Sequence, residues 1–205
     1  MMVCLFQMPS AAWRWVKGAG LCALAFGLLA CSTVGGIGGA NGADRLACMP
    51  LTVGVQYCLR PPADATGFEV QQQVLVRSPA LQETALAQLE NTDTQFVVAL
   101  FSPLGPKLMQ AQWAPPRLAQ EQPAGLPVTA GLLAALVQMA LWPSASVQAG
   151  LHGAHTWVDE PGRRQLWVGG RLWLDVQYSG QLPTPSALQI RLPVHALEMH
   201  INTLP

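Results

Sequence analysis

The sequence predicts a mainly β domain in which an antiparallel sheet packs against one or two helices. Two patterns lead to this prediction. From about residue 70 onward, segments of alternating apolar and polar side chains recur with short connections, which is typical of an antiparallel meander. Residues 129–142 interrupt them with a continuous apolar run of helical length. The 205 residues suffice for one such domain and an export segment.

Eight segments are predicted to be strands, most of them by alternation and residues 96–101 as a continuous apolar run. In the first of them Val74 and Val76 fall on one face, and glutamines at neighbouring positions fall on the other. Residues 115–127, which are rich in proline and glutamine, break the pattern between the fourth and fifth segments. The predicted strands are residues 70–77, 84–90, 96–101, 108–113, 164–168, 171–178, 188–192 and 197–202.

Residues 129–142 are predicted to be one buried helix. Thr129 can cap its start, and Pro143 ends it. Gln138 is the one polar side chain between them, and a helix that is apolar all round must be buried or face lipid. Fourteen residues are too few to span a bilayer, so the helix is expected to cover the apolar side of the sheet.

Charge argues against a nucleic-acid partner. Only 11% of the residues are charged and 51% are hydrophobic. The first thirty residues hold two of the eleven basic residues and no acidic one, so the remainder has 9 basic and 11 acidic residues. Binding to nucleic acid needs a basic face that neutralises phosphates, and this composition does not supply one.

The N-terminus has the organisation of an export signal. Arg14 and Lys17 precede the apolar residues 18–30, and Cys31 follows them. Thirteen helical residues extend about 20 Å, which is short for a hydrocarbon core of about 30 Å, so a secretory signal fits better than a membrane span. We expect residues 1–30 to be a signal peptide.

The cleavage site Leu28-Leu29-Ala30-Cys31 resembles the lipobox of bacterial lipoproteins, in which the cysteine is acylated after the signal is cut. The alternative is that Cys31 ends an uncleaved anchor. The resemblance implies attachment to a membrane through lipid on Cys31, and Ser32 in place of aspartate favours the periplasmic face of the outer membrane. The glycine-rich residues 31–47 then form a flexible tether, and residues 48–205 form a single domain.

Two further cysteines, Cys48 and Cys58, lie in the expected exported domain. Export to an oxidising compartment favours a disulfide between them. Two free buried cysteines and a redox-active pair are the alternatives, although the spacing is not the C-x-x-C of redox motifs.

Residues that could support chemistry do not form a recognisable site. His195 and His200 are five positions apart on the last predicted strand and therefore point to opposite faces, and no H-E-x-x-H or paired C-x-x-C motif exists. Asp159 and Glu160 are interpreted as a charged turn, and Asp175 is expected on a solvated strand face. We therefore expect no catalytic residue, no metal and no cofactor.

Three short motifs resemble an uncharacterised family of bacterial lipoproteins. They are Tyr57-Cys58-Leu59-Arg60-Pro61-Pro62, the segment from Pro103 to Trp113, and the segment from Leu132 to Pro143. That family is thought to be related to the LolA/LolB lipoprotein carriers and is often encoded beside genes for fatty-acid or aryl-polyene synthesis. The similarity extends over residues 50–203.

This resemblance implies a half-open antiparallel β-barrel, or a strongly curved sheet, with helices over its mouth. Five residues become candidates for lining an apolar cavity: Trp113, Leu133, Leu136, Val137 and Trp142. LolB-like receptors also carry an exposed apolar residue on a loop that assists membrane insertion, and the sequence does not locate its counterpart. The implied function is non-enzymatic binding or transfer of an acyl-bearing lipid or lipoprotein, with a periplasmic carrier as a further partner. The alternatives are a scaffolding lipoprotein with a solid core and, with less support, a lipid esterase.

Overall fold

A computed structural model of the protein describes residues 47–123 and 128–205, and the predicted mainly β architecture is confirmed there. Thirteen strands and two α-helices make up this part of the chain. Neither helix has the length and hydrophobicity that a membrane span requires. In chain order the elements are β1 (Cys48–Thr52), β2 (Val55–Cys58), β3 (Phe68–Ser78), β4 (Leu81–Asn91), β5 (Phe96–Phe101), β6 (Lys107–Ala114), β7 (Arg117–Glu121), α1 (Ala130–Leu141), α2 (Ser144–Gly150), β8 (Leu151–His152), β9 (Thr156–Glu160), β10 (Arg163–Val168), β11 (Arg171–Ser179), β12 (Ala187–Leu192) and β13 (Leu197–Thr203).

Ten of the strands form one antiparallel sheet in the order β7-β6-β5-β4-β3-β13-β12-β11-β10-β9. Two consecutive meanders, β3 to β7 and β9 to β13, are joined where β13 pairs with β3, with Met199 opposite Val76. β7 and β9 form the two edges and do not pair with each other, so the sheet is not closed into a barrel. The alternation in most of the eight predicted strands reflects one buried and one polar face.

The core lies on the face of the sheet that carries the valines and leucines of the alternating pattern. Leu197, Met199 and Ile201 of β13 are at most 7% exposed, and Val74 of β3 is 4% exposed. Helix α1 belongs to the same core, since eleven of its twelve residues are buried. The uniformly apolar composition of α1 is thus explained by burial in protein.

The free backbone N–H groups at the N-terminus of α1 donate hydrogen bonds to the side chain of its own cap and to side chains at the neighbouring sheet edge. Thr129 Oγ1 accepts a hydrogen bond from Leu132 N at 3.1 Å, as the predicted cap requires. Gln120 of β7 accepts from Gly131 N at 2.8 Å, and Gln122 accepts from Ala130 N. Three of the four donors that a helix start leaves unpaired are therefore bonded.

The three remaining strands, β1, β2 and β8, form a small second sheet. Cys48 pairs with Cys58 across the β1–β2 hairpin, and a disulfide joins them. Gly153, just after β8, approaches the hairpin turn so closely that a Cβ there would lie 1.9 Å from the Gly54 carbonyl oxygen. This contact requires glycine because any side chain would collide with backbone.

Five strands and one helix of the structure are not predicted from the sequence. β1, β2, β8 and β9 have two to five residues, too few for an alternation to stand out. β7 lies inside residues 115–127, which were expected to break the sheet, but Pro115 and Pro116 occupy only the turn before it. Helix α2 begins directly after Pro143, which was interpreted only as the end of α1.

The predicted signal peptide (residues 1–30), the predicted lipidation of Cys31 and the tether up to residue 46 lie outside the described residues.

Candidate functional site

Gln138, the single polar side chain of α1, is fully buried and lies over the segment that follows β2. Its Oε1 accepts hydrogen bonds from Arg60 N at 2.8 Å and from the Tyr57 hydroxyl at 3.3 Å, and its Nε2 donates to Arg60 O at 3.1 Å. Burial raises the pKa of the Tyr57 hydroxyl far above its ordinary value, so the group remains a donor. The buried amide is therefore satisfied, as burial of a polar group requires.

Two tryptophans bind the same segment from other elements. Trp113 Nε1 of β6 donates to Arg60 O at 2.8 Å, and Trp142 Nε1 donates to Pro61 O at 3.3 Å. Trp142 also meets the Phe96 ring edge-on, with ring centroids 4.8 Å apart. The three motifs that carried the family resemblance thus converge in space, and their contacts here are structural.

The five residues predicted to line a cavity do not surround one common cavity. Trp113, Leu136 and Trp142 are at most 1% exposed and Val137 is 5% exposed, and all four pack in the core. Leu133, one turn from the start of α1, lies instead at an opening of that core. The most hydrophobic residues of a sequence lie in the packed core. Sequence alone does not show whether such a residue packs in the core or lines a cavity.

An apolar cleft opens between the start of α1 and the inner face of the large sheet, with a volume of about 80 Å³. One wall comes from β3, β4 and β13. The other comes from β5, β6 and the beginning of α1. The residues lining this apolar cleft are Val76, Glu83, Ala85, Leu197 and Met199 on the first wall and Leu100, Leu108, Met109, Val128 and Leu133 on the second.

Nine of these ten side chains are apolar, and Glu83 is the exception. Glu83 lies on β4 opposite Val76 of β3, on the same strand face as the buried Ala85 two residues later. It is exposed, so its carboxylate is at the rim of the cleft. Within the described residues no basic side chain forms an ion pair with it. Glu83 is hard to identify from sequence because apolar and polar residues alternate only weakly along β4.

The opposite face of the sheet carries a charged network around Asp175, and here the expectation of a solvated side chain is wrong. Asp175 is 3% exposed and accepts hydrogen bonds from Arg163 at 2.8 Å, Gln177 at 3.2 Å and Gln165 at 3.3 Å. Burial opposes its ionisation, but these hydrogen bonds prevail and hold the pKa of the carboxyl below its ordinary value. The residue stands on the polar face, as predicted, but its neighbours cover it.

An open groove of about 540 Å³ lies beside this network, lined by Arg163, Gln177, Gln189 and His200 among others. Most of these groups already have partners: Gln189 accepts from Arg191 at 2.9 Å, and His200 lies 3.3 Å from Glu198. Satisfied polar groups around a wide opening form an ordinary solvated surface, so the groove gives little reason for a ligand.

The predicted charged turn is explained by a structural role. Asp159, near the end of β9, pairs with Arg164 at 3.3 Å, and Pro161-Gly162 makes the turn that follows. In residues 47–123 and 128–205, no group of three or more histidine, cysteine, aspartate or glutamate residues is arranged to hold a metal ion. The described geometry therefore centres on the apolar cleft.

Comparison with known families gives one match. A family model described as a protein of unknown function (DUF3261) matches residues 69–205. The match begins at the second residue of β3 and includes the rest of the ten-stranded sheet, both helices and all ten residues of the apolar cleft. The disulfide and the Tyr57–Arg60 segment precede it. No curated protein matches the chain.

Proposed function

We propose a function from the premise that the chain belongs to the DUF3261 family of proteins of unknown function. The protein is a lipid-anchored lipoprotein of the periplasmic face of the outer membrane, and it binds or transfers acyl-bearing lipid or lipoprotein cargo without catalysing a reaction. The observation that carries the proposal is the apolar cleft, an opening into the core that is lined by nine apolar side chains. Apolar concavities are where acyl chains bind.

The volume of the apolar cleft limits what enters it in this conformation. About 80 Å³ is well below the roughly 300–1,000 Å³ of pockets that hold drug-sized ligands, so the cleft accepts only the end of an alkyl chain. Deeper entry requires its walls to move. Met109 and Met199 line it, and methionine side chains adapt readily to a changed shape because they are unbranched.

A relationship to the LolA/LolB carriers is part of this proposal. That resemblance implies a half-open barrel with helices over its mouth. A ten-stranded antiparallel sheet with unpaired edges, together with a buried helix on its apolar face, supports such an architecture here. A periplasmic carrier that delivers the cargo is the corresponding partner.

An exposed leucine in the turn between β5 and β6 supports contact with the bilayer. Leu104 is 92% exposed in the β5–β6 turn, between Leu100 and Leu108, which both line the apolar cleft. A large apolar side chain held in water gains free energy when it enters lipid. We propose Leu104 as the loop residue that meets the membrane, while the lipid on Cys31 and the glycine-rich tether keep the domain within reach.

The proposal is tested by narrowing the cleft. The full chain is purified from membranes, and its extracted lipids are quantified by mass spectrometry. Leu108 is half-buried at the cleft, so Leu108→Trp fills the opening with little disturbance of the core. We expect it to retain less than about a third of the lipid bound by the wild type. Leu86→Trp, on the polar face of the sheet, is the matched control. Absence of bound acyl lipid from the wild type would overturn the proposal.

A scaffolding lipoprotein with a solid core is the second candidate. It is favoured by the tight burial of α1, which leaves four of the five expected cavity residues in the packed core. This alternative predicts that Leu108→Trp and Leu86→Trp behave alike in the lipid measurement.

A further inference from the structure

We infer that the apolar cleft prefers amphiphiles with a positively charged head group, and that Glu83 determines this preference. The inference rests on the proposed function and specifies the class of ligand. It follows from the position of one carboxylate on an otherwise apolar surface.

Glu83 is the only charged residue among the ten that line the apolar cleft. Ala85, Ala87 and Leu89, on the same face of β4, belong to the core, with exposures of 2–5%. A glutamate at such a position is tolerated because the cleft opens to solvent there. A ligand whose tail contacts Leu133 and Met109 would therefore bring its head to this carboxylate.

The charge of Glu83 is not compensated within the described residues. Glu83 has no ion-pair partner among the described residues, and neither do Glu69, Glu90, Asp93 and Glu160. Of these five carboxylates, Glu83 is the one that lines the apolar cleft. On the neighbouring strand β3, Arg77 is aligned with Gln82 of β4 and with Glu198 of β13. Gln82 precedes Glu83 by one residue, so Arg77 lies on the opposite face of the sheet from Glu83. No basic residue lines the cleft.

An uncompensated carboxylate beside an apolar surface favours cations and repels anions. Low polarisability of the cleft walls strengthens both effects relative to water. One exposed ion pair typically changes a binding equilibrium by a few-fold. Attraction of the ammonium head and repulsion of the anionic head both act in favour of the ammonium ligand. We expect an ammonium head to be preferred over an anionic head by roughly five-fold.

The test uses the full lipidated chain in phosphatidylcholine vesicles, whose surface has no net charge. Three single-chain probes share one diazirine-bearing alkyl tail and differ in the head group, which is trimethylammonium, hydroxyl or sulfonate. After illumination, labelled peptides that contain Leu133 or Met109 are quantified by mass spectrometry. The expected order of labelling is ammonium, then hydroxyl, then sulfonate.

Variants identify the responsible residue. Glu83→Gln is expected to equalise the three probes, and Glu83→Lys is expected to reverse their order. Glu90→Gln, on the same strand but the opposite face, should leave the wild-type order unchanged. Equal labelling of the wild-type cleft by all three probes would overturn the inference and leave the proposed function standing. An order that persists in Glu83→Gln would also overturn it. Absence of cleft labelling by every probe would instead overturn the proposed function.

Discussion

Arg164 Nη1 donates a hydrogen bond to the carbonyl oxygen of Trp142 at 2.7 Å and lies within 3.2 Å of the carbonyl oxygens of Ala140 and Met139. This one guanidinium from β10 therefore closes the C-terminus of α1, where helix carbonyls lack partners. Its positive charge also lies at the negative end of the helix dipole. The last turn of α1 is thus fixed to the sheet by a single, 4% exposed side chain.

Replacement of Arg164 by methionine should lower the free energy of unfolding by about 3 kcal/mol, because buried carbonyl groups lose a charged donor. Urea titration followed by tryptophan fluorescence measures the change. Arg171→Met, an exposed position on β11, serves as the control and should change stability by less than about 0.5 kcal/mol. Equal effects of the two substitutions would show that Arg164 does not secure α1.

Gln138→Leu should destabilise the protein by about 2 kcal/mol. The substitution keeps the approximate volume of the side chain but leaves the Arg60 N–H and the Tyr57 hydroxyl without their buried acceptor. Thermal unfolding compares this variant with Gln148→Leu, which changes an exposed glutamine of α2. If Gln138→Leu were as stable as the wild type, the hydrogen bonds to the Arg60 segment would contribute nothing measurable.

Reduction of the Cys48–Cys58 disulfide should lower the free energy of unfolding by about 2–3 kcal/mol, the value expected for a short closed loop. Unfolding is measured with and without a thiol reductant. The double variant Cys48→Ser, Cys58→Ser should match the reduced wild type and should not respond to reductant. A reductant-insensitive wild type would indicate that the disulfide does not contribute to stability.

Acid should weaken the contribution of Asp175. Its pKa is lowered in the folded state, so its stabilisation is complete above the ordinary aspartate pKa of about 3.9 and is lost as the pH falls through the lower folded pKa. Asp175→Asn should be less stable than the wild type by about 2 kcal/mol at pH 6, and this difference should shrink at pH 3. Asp93→Asn, in an exposed loop, is the control variant. A difference that is constant with pH would contradict the assignment.

The elements that sequence predicts well are those with two unlike faces. β3, β6 and β13 each bury every second side chain, so their alternation is direct evidence of a half-buried sheet. Helix α1 is equally visible because Thr129 and Pro143 bound a segment in which Gln138 is the one polar side chain. The edge strand β7 is hard to recognise from sequence. It has five residues and pairs with one neighbouring strand, so its apolar and polar residues show little alternation.

The candidate site is harder to predict because it depends on register. Hydrophobicity directs attention to Trp113 and Trp142, which the fold uses as buried anchors for the segment after β2. Glu83 becomes notable only once β4 is aligned with β3, which brings it opposite Val76 on the core face. Asp175 has the polar orientation that its pattern indicates, but its burial depends on Arg163 and Arg191 from neighbouring strands.

Lipidation remains a prediction about Cys31, and it determines where the apolar cleft operates. Acyl chains contribute about 0.8 kcal/mol for each methylene buried in a bilayer, so a processed lipoprotein should remain in the membrane fraction. Cys31→Ala should abolish metabolic labelling with a palmitate analogue and leave the signal uncut, which is visible as a slower band on a denaturing gel. Cys22→Ala, in the apolar stretch of the signal, is the control and should be labelled and processed normally. A Cys31→Ala chain that is cut and still sediments with membranes would mean that another part of the protein holds it there.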